Sequence, residues 1–177
     1  MIKILVLLFN IYPKYYFQGV TMDQQIDRFI LENREKINNR LETILSADQE
    51  KNEAVQAAQY ATLGTGSRLR PLMAILVYET AAGFKKNSNQ ISYVEYAACA
   101  LEFVHSASFI YDDIMDKSDT RRGQPACHIK FGENSALMGV IYLLQLSFRL
   151  INSIPYQNKR FVDTQSKILR GMVAGQC

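Results

Sequence analysis

Cysteine is scarce in this chain: Cys99, Cys127 and Cys177 are the only three in 177 residues, an odd number at wide and irregular spacing. That excludes a disulfide framework and a zinc pattern, and it fits reduced thiols in a cytoplasmic protein. An excess of one charge is missing too. The 20 basic and 17 acidic side chains leave a net charge of +3, and without the acid-free segment 1–21, which carries Lys3 and Lys14, the balance is 18 to 17. So even a mixture excludes a general polyanion binder: no nucleic acid is expected, and any anion must be held by a local cluster. The apolar run from Ile4 to Ile11 is interrupted by Asn10 and closed by Pro13. It falls well short of the roughly 20 residues that cross a bilayer, so no integral membrane segment is expected. Lys3 ahead of that run leaves a secretory signal open, although no small-x-small cleavage site follows. The alternative is an upstream extension before a start at Met22.

Strand signals, internal repeats and linkers are absent as well. What is present is helical. With 48% hydrophobic and 21% charged residues the chain has the balance of one globular domain. Ile26, Phe29, Ile30, Ile37, Leu41, Ile44 and Leu45 recur at helical spacing and predict an amphipathic helix over 22–45. Ser46 and Gln49 have capping-box spacing and predict a second helix reaching about Ala61. Gly64-Thr65-Gly66 is a break, after which a helix from about Arg68 to Ala82 carries Pro71 in its first turn and stops at Gly83. A second capping box, Ser92 and Glu95, predicts a helix to about Asp116 that is apolar nearly all round, and hence central and buried. A polar loop from Lys117 to about Lys130 and two helices, over 133–152 and from 157 to the end, complete an antiparallel all-α bundle.

The chemistry concentrates at the end of that central helix. Asp112 and Asp116 are i and i+4 and stack on one face, with Asp113 beside them. Like charges at that spacing oppose helix formation, as does negative charge at a helix C-terminus. A divalent cation reverses the cost, because Mg²⁺ takes one or two carboxylates and leaves positions for water and substrate phosphates. Arg121 and Arg122 follow in the next loop, where guanidinium forks can hold phosphate oxygens. The acids do not alternate as in an EF-hand, and Gly64-Thr65-Gly66-Ser67-Arg68 lacks the ending of a P-loop. Taken alone, His105 on an apolar helix reads as a core histidine, His128 beside Cys127 as a residue that orders its loop, and Cys99 as a small core residue.

Three runs in order, Gly66-Ser67-Arg68-Leu69-Arg70-Pro71, then His105 to Asp116, then Arg121-Arg122-Gly123-Gln124-Pro125 with Cys127-His128, resemble the trans-prenyltransferase (polyprenyl diphosphate synthase) family. The resemblance covers Met22 to Cys177. It implies an isoprenoid synthase fold and an enzyme that ionises an allylic prenyl diphosphate with Mg²⁺ and adds isopentenyl diphosphate. By the same resemblance Asp112, Asp113 and Asp116 form the metal motif, with Asp112 and Asp116 the direct ligands. Arg121 matches the residue that holds the allylic diphosphate, while Arg70, His105 and Arg122 match groups on the isopentenyl diphosphate side. Ser67 stands where the family has lysine. Ala107 and Ser108 occupy positions of large aromatics in short-product members, which suggests a product of twenty carbons or more.

The resemblance also implies a second aspartate-rich motif, which does not follow Asp163. Residues 22–177 are therefore expected to be the N-terminal part of a truncated polyprenyl synthase domain, inactive alone, with an exposed apolar face and a homodimer as the full-length form. Two further readings stay open: a non-catalytic partner subunit or pseudoenzyme that binds diphosphate, and a terpene cyclase, against which the Arg70-Pro71 and Arg121-Arg122-Gly123 runs argue.

Overall fold

The computed structural model describes residues 22–47, 52–82, 88–155 and 158–176. Segment 1–21, Gln49, Gly83, Gln157 and Cys177 lie outside them. Among the described residues the elements are helices α1 (Met22–Ser46), α2 (Glu53–Leu63), α3 (Leu69–Ala82) and α4 (Ser88–Met115), strands β1 (Thr120–Arg121) and β2 (Gln124–Pro125), then α5 (Cys127–Phe131), α6 (Glu133–Asn152) and α7 (Asn158–Gln176).

The central helix is α4, as the sequence predicts, and it packs against α1, α2, α3, α5 and α6. Its Ala98, Cys99, Phe103, Ala107 and Ile110 are buried with Ile37, Leu41 and Leu45 of α1 and Leu143 and Leu146 of α6. The two glutamates in its middle turns are both paired. Glu95 accepts from Arg40 of α1 at 2.5 Å, and Glu102 accepts from Arg68 at 2.7 Å with both side chains buried. An apolar helix tolerates a buried charge only where a partner and hydrogen bonds replace water. Between α4, α6 and α7 runs a second polar link: Gln165 donates to the Ser147 hydroxyl, which donates to the Ala100 carbonyl.

Three expectations are corrected. Ser92 does not open α4, which begins at Ser88; Glu95 is engaged by Arg40 and does not reach back as a capping box requires. Ser46 closes α1, and the helix after it opens at Glu53 with Asn52 as its cap, whose side chain accepts from the Val55 amide at 3.0 Å. The polar loop from Lys117 contains an antiparallel hairpin and the short α5. The helix over 133–152 stands at the predicted bounds. By length and composition α6 is also apolar enough to cross a membrane, while Leu143, Leu146 and Leu150 on one of its faces are buried within the bundle.

Large apolar side chains are exposed on several helices, including Val77, Ile91, Met138 and Ile141.

Candidate functional site

The end of α4 is closed by its own backbone. Ser118 N–H bonds the Asp113 carbonyl and Lys117 N–H the Ile114 carbonyl, with Lys117 at φ +52, the bond pattern of a Schellman motif. The chain then reverses through Arg122 (φ +53) and Gly123 (φ +76). Two consecutive residues of positive φ between paired strands make the mirror-image turn that matches strand twist. Arg122 is held in a conformation that costs a non-glycine residue free energy. The hairpin is tied down by Tyr60, whose hydroxyl donates to the Pro125 carbonyl at 2.8 Å.

This hairpin turns Arg121 back onto α4. Its Nε donates to both oxygens of Asp113 at 2.9 and 3.1 Å. Asp113 is only 2% exposed, and its hydrogen bond holds the Arg121 guanidinium above the ordinary arginine range. Of the three acids, then, Asp113 points inward to an arginine, whereas Asp112 is half-buried and Asp116 exposed one turn further along the same face. No group of three His, Cys, Asp or Glu side chains converges as a metal cage among the described residues. Two hard-oxygen carboxylates are nevertheless the number Mg²⁺ uses when waters and phosphates complete its shell, so the donor set of Asp112 and Asp116 fits that ion.

The residues the sequence singles out fall on two sides of α4. On one side Arg70, His105, Ala107, Ser108 and Asp112 line a cavity of about 770 Å³ whose wall continues through Leu101, Val104, Val140, Leu144 and Ile168. On the other, Asp113, Arg121 and Arg122 line a cavity of about 340 Å³ with Phe109, Tyr60 and Cys127. Ser67 faces neither, lining a groove with Arg34, Asn38 and the Gly64–Gly66 turn. Arg122 is therefore not in the cavity of Arg70 and His105. The two sides touch through the rings of His105 and Phe109, whose centroids are 4.0 Å apart.

His105 Nε2 lies 2.7 Å from Arg70 Nη1. A guanidinium only donates, so Nε2 is the acceptor and the imidazole is neutral. Burial first, and the Arg70 charge second, push its pKa down to about 4. His105 is thus a positioned neutral acceptor for an arginine and not a free cation.

Arg68 has a role that its place in the sequence does not show. It is 4% exposed, with Nε donating to Asn38 Oδ1, Nη1 to Glu102 and Nη2 to the Gly64 carbonyl. It locks the glycine turn to α1 and α4. A Cβ on Gly66 would stand 3.0 Å from terminal nitrogens of both Arg68 and Arg122, so a side chain there would push on both guanidinium groups. The available signal is Glu102, an acid set between Leu101 and Phe103 in an apolar helix, which demands a buried cation. His128 begins no metal site; its Nδ1 is buried without a hydrogen-bond partner. Burial raises the thiol of Cys99 to about 12 and that of Cys127 to about 11, so neither is a nucleophile.

A bundle built around one long apolar helix, with an acid pair and an arginine hairpin at its end and an apolar shaft below, is the all-α isoprenoid synthase fold. Geranyltranstransferase from Thermotoga maritima superposes with a TM-score of 0.69 at 31% identity, over 80% of this chain and 52% of that one. The chain belongs to the polyprenyl synthetase family, whose profile matches residues 35–177. Its relatives include the heterodimeric geranylgeranyl pyrophosphate synthase large subunit 2 of Arabidopsis thaliana, 31% identical over 86% of this chain and 40% of that protein. The geranylgeranyl diphosphate synthase of Methanosarcina mazei is 36% identical over 70% of this chain and 37% of that protein. The chain spans about two fifths of the length of the curated relatives it matches.

Proposed function

We propose that the protein is a transferase that condenses an allylic prenyl diphosphate with isopentenyl diphosphate, releasing pyrophosphate and a longer polyprenyl diphosphate. The observation that carries this reading is the cavity of about 770 Å³: its lining joins Asp112, Arg70 and His105 to a largely apolar wall. An anionic head and a hydrocarbon tail need those two environments in one space. The names of the relatives support the same reaction class.

Asp112 and Asp116 are the residues that would hold Mg²⁺, which when bound supplies positive charge to the leaving diphosphate. Arg121 holds the allylic diphosphate and Asp113 keeps its guanidinium in place. Arg70 holds the isopentenyl diphosphate, with His105 orienting it through Nε2, whereas Arg122 lines the smaller cavity beside Arg121 on the other side of α4. Preorganised donors of this kind stabilise developing negative charge without reorganising at the moment of reaction. The apolar wall keeps water from the carbocation. The small side chains of Ala107 and Ser108 line this cavity, which supports a product of twenty carbons or more.

A homodimer and a cytoplasmic location belong to this proposal, the latter supported by the free, buried Cys99 and Cys127. The deciding experiment incubates the whole protein with Mg²⁺, labelled isopentenyl diphosphate and allylic diphosphates of increasing length. Extractable labelled product that disappears with chelator supports the enzyme. Diphosphate binding without product supports the non-catalytic subunit, and absence of both overturns the assignment.

A further inference from the structure

We propose that Phe109 is the positioning residue that sets the arginines of the two cavities in a fixed relation before any diphosphate arrives. Its ring is the meeting point of the site. The Arg121 guanidinium carbon lies 4.5 Å from the ring centroid and that of Arg122 at 5.3 Å. One turn back, the His105 ring packs on it at 4.0 Å, tilted by 56°, and His105 holds Arg70. One aromatic side chain thus touches two arginines directly and a third through one intermediary.

The physical need is clear. Arg70, Arg121 and Arg122 are like charges around His105 and Phe109 of α4, and among the described residues Arg121 is the one of the three with a carboxylate ion-pair partner, Asp113. Arg122 has the Thr65 carbonyl at 3.1 Å and the ring of Phe109. The negative face of an aromatic ring attracts a guanidinium and leaves its N–H groups free to face an anion. A carboxylate in the same place would compete with the phosphate, and an aliphatic side chain would not attract the cation. An arginine already ordered on a ring loses less freedom when it binds, which raises affinity without a new contact. The inference rests on the diphosphate reading of the site.

The test uses the whole protein with Mg²⁺ and inorganic pyrophosphate, followed by calorimetry. Phe109→Leu keeps an apolar side chain and removes the ring, and should weaken binding about three- to tenfold, within the range of one or two exposed cation–π contacts. Phe109→Tyr keeps the ring and should restore wild-type affinity, an outcome that loss of packing alone does not produce. Equal affinity of wild type and Phe109→Leu, both folded by circular dichroism, overturns the inference while leaving the diphosphate reading intact. A wild-type protein that takes up no pyrophosphate overturns that reading itself, and the inference with it.

Discussion

Arg121 lies on Asp113, donating from Nε at 2.9 Å across the end of α4 from eight positions further along the chain, and the carboxylate beneath it is almost fully buried while the arginine is partly open to solvent. The pair is asymmetric in what each partner can do without the other. Released, Arg121 can turn into water; Asp113 cannot.

Arg121→Ala should therefore cost more stability than Asp113→Asn, about 2 kcal/mol against about 1, because only the first leaves a buried carboxylate without its cation. Urea denaturation of the two variants checks the order. A larger loss in Asp113→Asn would mean that the carboxylate is hydrated and the pair is not as tight as its distances indicate.

Asp112→Ala and Asp116→Ala should abolish Mg²⁺-dependent diphosphate binding with little effect on folding. Their carboxylates are half-buried and exposed, and their mutual repulsion disappears with either one. Titration calorimetry with and without chelator measures this, and binding unchanged in both variants would remove the acids from the metal site.

His105 makes stability depend on pH. Its folded pKa is lowered from 6.5 to about 4, so between those values the unfolded chain carries a proton that the folded chain refuses. Unfolding then takes up protons, and stability rises with pH through that window. It is present in full above about 6.5 and falls as the pH drops toward 4, where protonation of Nε2 also ends the contact with Arg70. His105→Gln keeps an acceptor and should show a flatter curve of urea midpoint against pH over that range. An imidazole signal titrating near 6.5 by NMR would contradict the burial.

Ala107 and Ser108 were indistinguishable as sequence positions, and the structure separates them. Both line the large cavity, but Ala107 is 2% exposed and belongs to the core, whereas Ser108 is half-buried and its hydroxyl donates to the His105 carbonyl. Ser108→Phe should fold and shorten the product. Ala107→Phe should lose about 1–3 kcal/mol by overpacking. Product chromatography and thermal unfolding of the whole protein read the two effects, and equal stability of both variants would place the Ala107 side chain in open space.

Much of the bundle was legible because its causes are local. The bounds of α6 and the central place of α4 follow from periodicity and from a segment without a polar face. The helix starts were less so. Ser92 with Glu95 carries capping-box spacing, but Glu95 is claimed by Arg40 from 55 positions away. The hairpin around Arg122-Gly123 was missed because strands of two residues have no alternation to detect.

The acid pair at i and i+4 and the two arginines that follow are properties of the chain itself, since helical spacing and residue chemistry act within a turn or two. Their division is not. Asp113 turns to Arg121, Asp112 turns to a cavity shared with Arg70, and Ser67 turns away from both, because burial and pairing compare partners tens of residues apart and leave each polar group where its hydrogen bonds can be met. Arg68 and Glu102 show the same physics: a cation and an acid 34 positions apart, each unremarkable in its own segment, are sealed together in the core once α3 and α4 pack.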